Sequence, residues 1–128
     1  MKYYISKTIT SEFDEAIEKT TESLKKESFG VLSRIDIHEK LKEKLDVDFR
    51  KYVILGACNP PYAYKALQQE DKIGTMLPCN VIVQDIGDGK VEVSAVDPVA
   101  SLQAVQNENI EVIAAEIRDK LVKAINDL

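Results

Sequence analysis

The stretch Tyr52–Cys58, "YVILGAC", is apolar on both parities, with Val53, Leu55 and Ala57 on one and Tyr52, Ile54, Gly56 and Cys58 on the other. A strand with two apolar sides has to be covered on both, which places it in the middle of its sheet. The next residues sharpen the constraint. "NPP", Asn59 to Pro61, halts the strand, because proline gives a ladder no N–H and pre-sets the φ of a helix's first turn. The chain must leave a central strand and enter a helix at once. The same device returns at Asp97-Pro98, after "KVEVSAV". At both places the Asx side chain is expected to cap the helix by accepting from a backbone N–H of the first turn.

The elements around that strand follow from period. "YYISKTI" alternates as a strand does. "TSEFDEAIEKTTESLKKESFG" changes to helical spacing, with Phe13, Ala16, Ile17, Thr20 and Leu24 on one face. Ser11 is its expected cap, Asp14 stands in the capping-box position, and Gly30 closes the unit. "VLSRIDI" reads as a second strand, and "DIHEKLKEKL" as a short amphipathic helix with Asp36 as cap and Leu41 and Leu45 on one face. "PPYAYKALQQEDK" is a helix, expected to close near Gly74 in a left-handed cap. "CNVIVQDI" and "KVEVSAV" flank "GDG", a hairpin signal. "ENIEVIAAEIRDKLVKAINDL" sets Ile110, Ile113, Ile117, Leu121, Ala124, Ile125 and Leu128 at helical spacing.

The order β-α-β-α-β-α-β-β-α fits an α+β sandwich: a mostly antiparallel five-stranded sheet, helices packed on one face, and a long C-terminal helix across it. The other face then carries Glu92 and Ser94 beside Ile54 and Ile82. A partly apolar face of that kind needs cover from a second copy or a ligand. At 128 residues the chain forms a single domain, residues 1–128, able to bury a core without disulfide or structural metal.

Charge excludes some partners. The formal net charge is −5, with acids and bases interspersed. Duplex DNA and anionic membrane are disfavoured, since both demand cationic patches. "LKKES" and "LKEKLDVDFRK" mix both signs, as solvated helix faces do. No apolar run reaches the length of a membrane span, and "MKYYISKTIT" lacks the apolar stretch of an export signal. With two cysteines, the expected compartment is the cytoplasm, with reduced thiols.

Those cysteines stand in the repeated dipeptide Cys-Asn: Cys58-Asn59 ends the central strand and Cys79-Asn80 begins the next. Antiparallel pairing of the two strands would bring the thiols close. Three readings stay open: two small core hydrophobes, a reactive thiol pair near a helix start, or a soft-metal site lacking its other ligands. Asn59, Asn80 and Glu70 supply polar groups around an apolar strand, the composition of a ligand site. A phosphate cradle is excluded at the "NPP" helix, because two prolines remove the N–H donors that build one. No P-loop or G-x-G-x-x-G occurs elsewhere. The lone His38 has no evident partner. Glu70 or Asp97 as a general base lacks the nucleophile and orienter that would complete a set, so no reaction is assigned.

"LGACNP", "LPCNV" and the late "DP", joined by "IG", closely resemble the family catalogued as domain of unknown function 302, across nearly the whole chain. The resemblance implies a fold like each half of the TATA-binding protein, β-α-β4-α with inserted helices, usually homodimeric, and implies no established activity or cofactor. DNA binding does not come with the fold. The family's motif positions fall here on Gly56, Cys58, Asn59, Pro60, Glu70, Gly74, Pro78, Cys79, Asn80, Asp97 and Pro98, while His38 departs from the pattern. The leading expectation is a cytoplasmic, homodimeric small-molecule-binding or sensing module with its site at Cys58, Asn59, Glu70, Cys79 and Asn80. The alternative is thiol-redox or soft-metal chemistry at Cys58 and Cys79.

Overall fold

The computed structural model describes residues 2–128. The chain runs β1 (Tyr4–Thr10), α1 (Phe13–Lys26), β2 (Gly30–Asp36), α2 (Ile37–Leu45), β3 (Tyr52–Cys58), α3 (Pro60–Gln69), a 3-10 helix (Asp71–Met76), β4 (Cys79–Gly87), β5 (Lys90–Val96), α4 (Pro98–Ser101) and α5 (Glu108–Asn126). The five strands form one sheet in the order β1-β5-β4-β3-β2, every neighbouring pair antiparallel. The expected α+β architecture is the observed one. Among the described residues, no helix is long and apolar enough to cross a membrane.

The doubly apolar strand β3 lies between β4 and β2, inside the sheet but one place from its edge; the middle position, expected for β3, belongs to β4. Its Val53, Leu55 and Ala57 are buried with Val81 and Val83 of β4 and Val91, Val93 and Ala95 of β5. Against this inner face lie α1 and α5, with Leu24, Leu121 and Ile125 among the buried side chains. The two helices are stitched together where Ser23 Oγ donates to the Ala124 carbonyl at 2.5 Å. Lys7 of β1 donates to the Asn126 and Leu128 carbonyls at 2.8 and 2.5 Å, putting a cation at the C-terminus of α5, where the helix dipole favours one.

The other face follows from the register. Residues directly opposed in an antiparallel ladder share a face. Ile35 is opposed to Ile54, Ile54 to Ile82, Ile82 to Ser94 and Ser94 to Ser6, one row across all five strands. Ser6 and Ser94 are hydrogen-bonded through their hydroxyls. Glu92 lies on this face too, accepting from Gln84 Nε2 at 3.0 Å, while Gln84 Oε1 accepts from Arg50.

The hairpin between β4 and β5 forms at "GDG". Asp88 and Gly89 have φ of 57° and 71°, the two positive angles of a type I′ turn. Other expected devices are replaced by better-placed partners. Helix α1 is entered at Glu12 without a side-chain cap, and the Ser11 hydroxyl donates to the Glu12 carbonyl instead. The left-handed residue after α1 is Ser28, φ 68°, and not Gly30, which opens β2. Asp36 does not cap α2, because both its oxygens are held by Arg34 at 3.2 and 2.9 Å. That guanidinium draws the Asp36 carboxyl below its ordinary pKa. Helix α3 stops at Gln69, and Gly74 lies inside a 3-10 helix without a left-handed φ. Helix α2 buries no residue.

Candidate functional site

Strand β3 delivers Cys58 and Asn59 to the end of the sheet, and Pro60 and Pro61 turn the chain into α3 there. The expected Asn59 cap does not form. Asn59 is 6% exposed, and its Nδ2 donates to the Glu27 carbonyl at 3.2 Å. Glu27 ends α1, and a helix's last carbonyls lack intrahelical donors. Tertiary packing brings one such carbonyl to Asn59, and that bond displaces the local cap. Asp97 does cap its helix, with Oδ1 accepting from Val99 N at 3.0 Å, and its Oδ2 takes Arg118 Nε at 3.0 Å.

The antiparallel pairing of β3 and β4 places Cys79 opposite Ala57, while Cys58 is opposite Gly30 of β2. The thiols are therefore brought to one sheet end, one residue out of step. Both are free; Cys79 is buried and Cys58 half-buried. Burial pushes the Cys79 thiol up to about 11, and the neighbouring Cys58 adds to the rise. At neutral pH Cys79 is thus a protonated thiol and a poor nucleophile. The described residues contain one group of three potential metal ligands, Asp36, His38 and Glu39, with ligand atoms within 4.8 Å. It includes neither cysteine. Asp36 is engaged by Arg34, and His38 Nδ1 lies 3.0 and 3.1 Å from the backbone N and O of Tyr52.

Beside the cysteines lies an apolar cavity of about 300 Å³. Its walls come from the ends of β3 and β4, from Tyr62 and Ala66 of α3, and from Ile113 and Ile117 of α5. Cys58, Asn59 and Cys79 line it; Glu70 and Asn80 do not. Glu70 Oε1 instead accepts from Asn107 Nδ2 at 3.1 Å, and Asn107 Oδ1 accepts from Asn109 N at 2.9 Å to cap α5. Glu70 therefore holds the α5 cap in place. Asn80 is exposed because its neighbour Cys79 points inward and strand side chains alternate. It borders an adjoining cleft of about 240 Å³ that shares Pro78 and Cys79 with the cavity wall. Two larger clefts, about 520 and 600 Å³, lie at the surface among charged side chains such as Glu18 and Glu22, or Asp85 and Asp88.

Sequence reasoning missed most of the cavity wall. Ile113 and Ile117 were legible as one apolar stripe of α5 but not as a wall beyond the sheet. Tyr62 gave no signal by itself; the neighbouring Glu116 of α5 holds its phenol above the usual pKa. Gly56 packs directly beneath Ser33 and Pro78, so β3 approaches the segment leading into β4 closely.

Over residues 5–128 the chain matches the family described as domain of unknown function DUF302. Among curated proteins none matches. Among solved structures, it is similar to an uncharacterized conserved DUF302 protein from Bacillus stearothermophilus, at 31% identity and a TM-score of 0.90, with 98% of each chain covered. The match from β1 to the last residue, together with the shared fold, establishes that the chain belongs to the DUF302 family, which has no established activity.

Proposed function

We propose that the protein is a cytoplasmic, homodimeric module that binds or senses a small molecule in the cavity at the Cys58/Cys79 strand ends. The observation that carries this reading is the cavity's lining: about 300 Å³ at the place where β3 and β4 converge, without one charged side chain. Ligand pockets combine apolar walls with a few polar groups, and this volume is at the small end of their range. Of the five residues expected to form the site, Cys58, Asn59 and Cys79 belong to it. Glu70 supports it indirectly through the α5 cap.

Self-association is supported by the row Ile35, Ile54 and Ile82 on the outer sheet face, which a second copy would cover. Thiol-redox or soft-metal chemistry is the weaker reading, because Cys79 is buried and, among the described residues, no group of three potential metal ligands includes either cysteine.

A thermal-shift screen of metabolites against wild type and Ala66→Leu tests the leading reading. Ala66 is 3% exposed on the cavity wall, so the larger side chain occupies part of the space. A ligand that stabilises wild type and loses its effect in the variant is the expected result. A hit unaffected by the variant would place binding elsewhere. Native mass spectrometry showing stoichiometric metal, lost in Cys58→Ser/Cys79→Ser, would favour the alternative.

A further inference from the structure

The composition of the cavity restricts its ligand more than its position does. The amide on its wall, Asn59, gives one of its N–H groups to the Glu27 carbonyl and carries no charge. Cys79 is protonated, and no Lys, Arg, His, Asp or Glu lines the space. A carboxylate, phosphate or ammonium placed inside would lose its water and meet no opposite charge on the wall, so burying it is strongly unfavourable.

Gly74 is a second, independent pointer. It borders the cavity and is exposed, as are Leu32 and Leu67, so these three form its rim. Its φ lies outside the left-handed region, and a Cβ there would meet nothing within 4 Å. Neither backbone conformation nor close packing requires glycine at that place. What its missing side chain does is leave the rim open.

Resting on the pocket reading above, we infer that the cavity takes an uncharged apolar ligand group, admitted past the rim at Gly74 and selected by shape and neutrality. Size narrows the class. A dry apolar cavity of about 150 Å³ holds a benzene ring. Twice that volume accommodates a fused two-ring aromatic or an aliphatic chain of similar bulk. A ligand carrying a charge elsewhere would keep that part outside the rim.

Methyl-resolved NMR titration of the intact protein tests this with three probes: indole, indole-2-carboxylate and xenon. The expected result is saturable shifts at Ala57, Ile110, Ile113 and Ile117 with indole and xenon, and binding of the carboxylate weaker by about tenfold or more. Gly74→Leu should weaken indole at those methyls while leaving the fold unchanged by its spectrum; Ala66→Leu, on the α3 wall, provides a second block. If the carboxylate binds the same methyls as tightly as indole, the inferred ligand class is wrong while the pocket stands. If indole binding there survives both variants undiminished, the rim assignment is wrong. Should none of the three probes shift these methyls, the pocket reading itself falls.

Discussion

Gly56 is the residue on which the close approach of three segments depends. A Cβ there would press on the Ser33 hydroxyl and stand 2.8 Å from Pro78 Cγ. Gly56→Ala is expected to destabilise the protein by about 1–3 kcal/mol, the usual effect of overpacking. Ser33→Ala in the same chain should recover part of it, measured as a double-mutant cycle in urea. Cys79 gives a pH prediction. Its pKa is raised on folding from 9.0 to about 11, so the folded state favours the neutral thiol. The associated stability is fully present below pH 9 and is lost as pH climbs through about 11. It amounts to about 3 kcal/mol at most. Cys79→Ala should flatten that part of the stability profile relative to wild type, and an equally steep profile would contradict the assignment. Neither residue's role was legible at this level of detail. The sequence placed both cysteines at strand ends, but only the register made Cys79 the inward one.

At the scale of elements, the two Asx-Pro junctions part company. Both turn a strand into a helix, as their prolines dictate, but only Asp97 caps with its side chain. Asp97→Ala is expected to lower stability by about 1–2 kcal/mol through loss of the cap. Asp97→Asn keeps an oxygen for Val99 N and gives up only the half-exposed pair with Arg118, with an effect below about 1 kcal/mol. Chemical denaturation of both variants checks the order; equal losses would show that the ion pair, not the cap, dominates. The same contrast explains why helix boundaries were only partly legible. Local signals such as Ser11, Asp36 and Asn59 name residues able to cap. Whether they do depends on rival partners brought by distant segments, here the Glu12 carbonyl, Arg34 and Glu27.

At the scale of the whole molecule, the outer sheet face keeps a row of partly exposed isoleucines. Ile35 is 44% exposed, and Ile54 and Ile82 beside it are only half-buried. Ile82→Glu places a charge in the middle of that row without touching the inner core. If a second copy covers this face, light scattering should show wild type at twice the chain mass and the variant at or near the monomer mass. A wild-type monomer at tens of micromolar would remove the homodimer from the proposal. The formal net charge of −5 gives a related expectation: no salt-dependent retention on duplex DNA.

The sequence by itself determined the order of the five strands and the main helices, the interior but not the middle place of β3, the hairpin at "GDG" and the two strand-to-helix switches. These rest on period, proline and glycine, which act within a few residues of themselves. The family resemblance in "LGACNP" and "LPCNV" was equally a property of the string. Tertiary structure alone decided which polar groups face the cavity. Cys58, Asn59 and Cys79 do, whereas Glu70 is drawn to Asn107 and Asn80 is turned outward. The physical reason is that a side chain's partner is chosen by competition among everything that folding brings within reach. Glu27 reaches Asn59 across 32 residues and Asn107 reaches Glu70 across 37, separations over which no local pattern carries information.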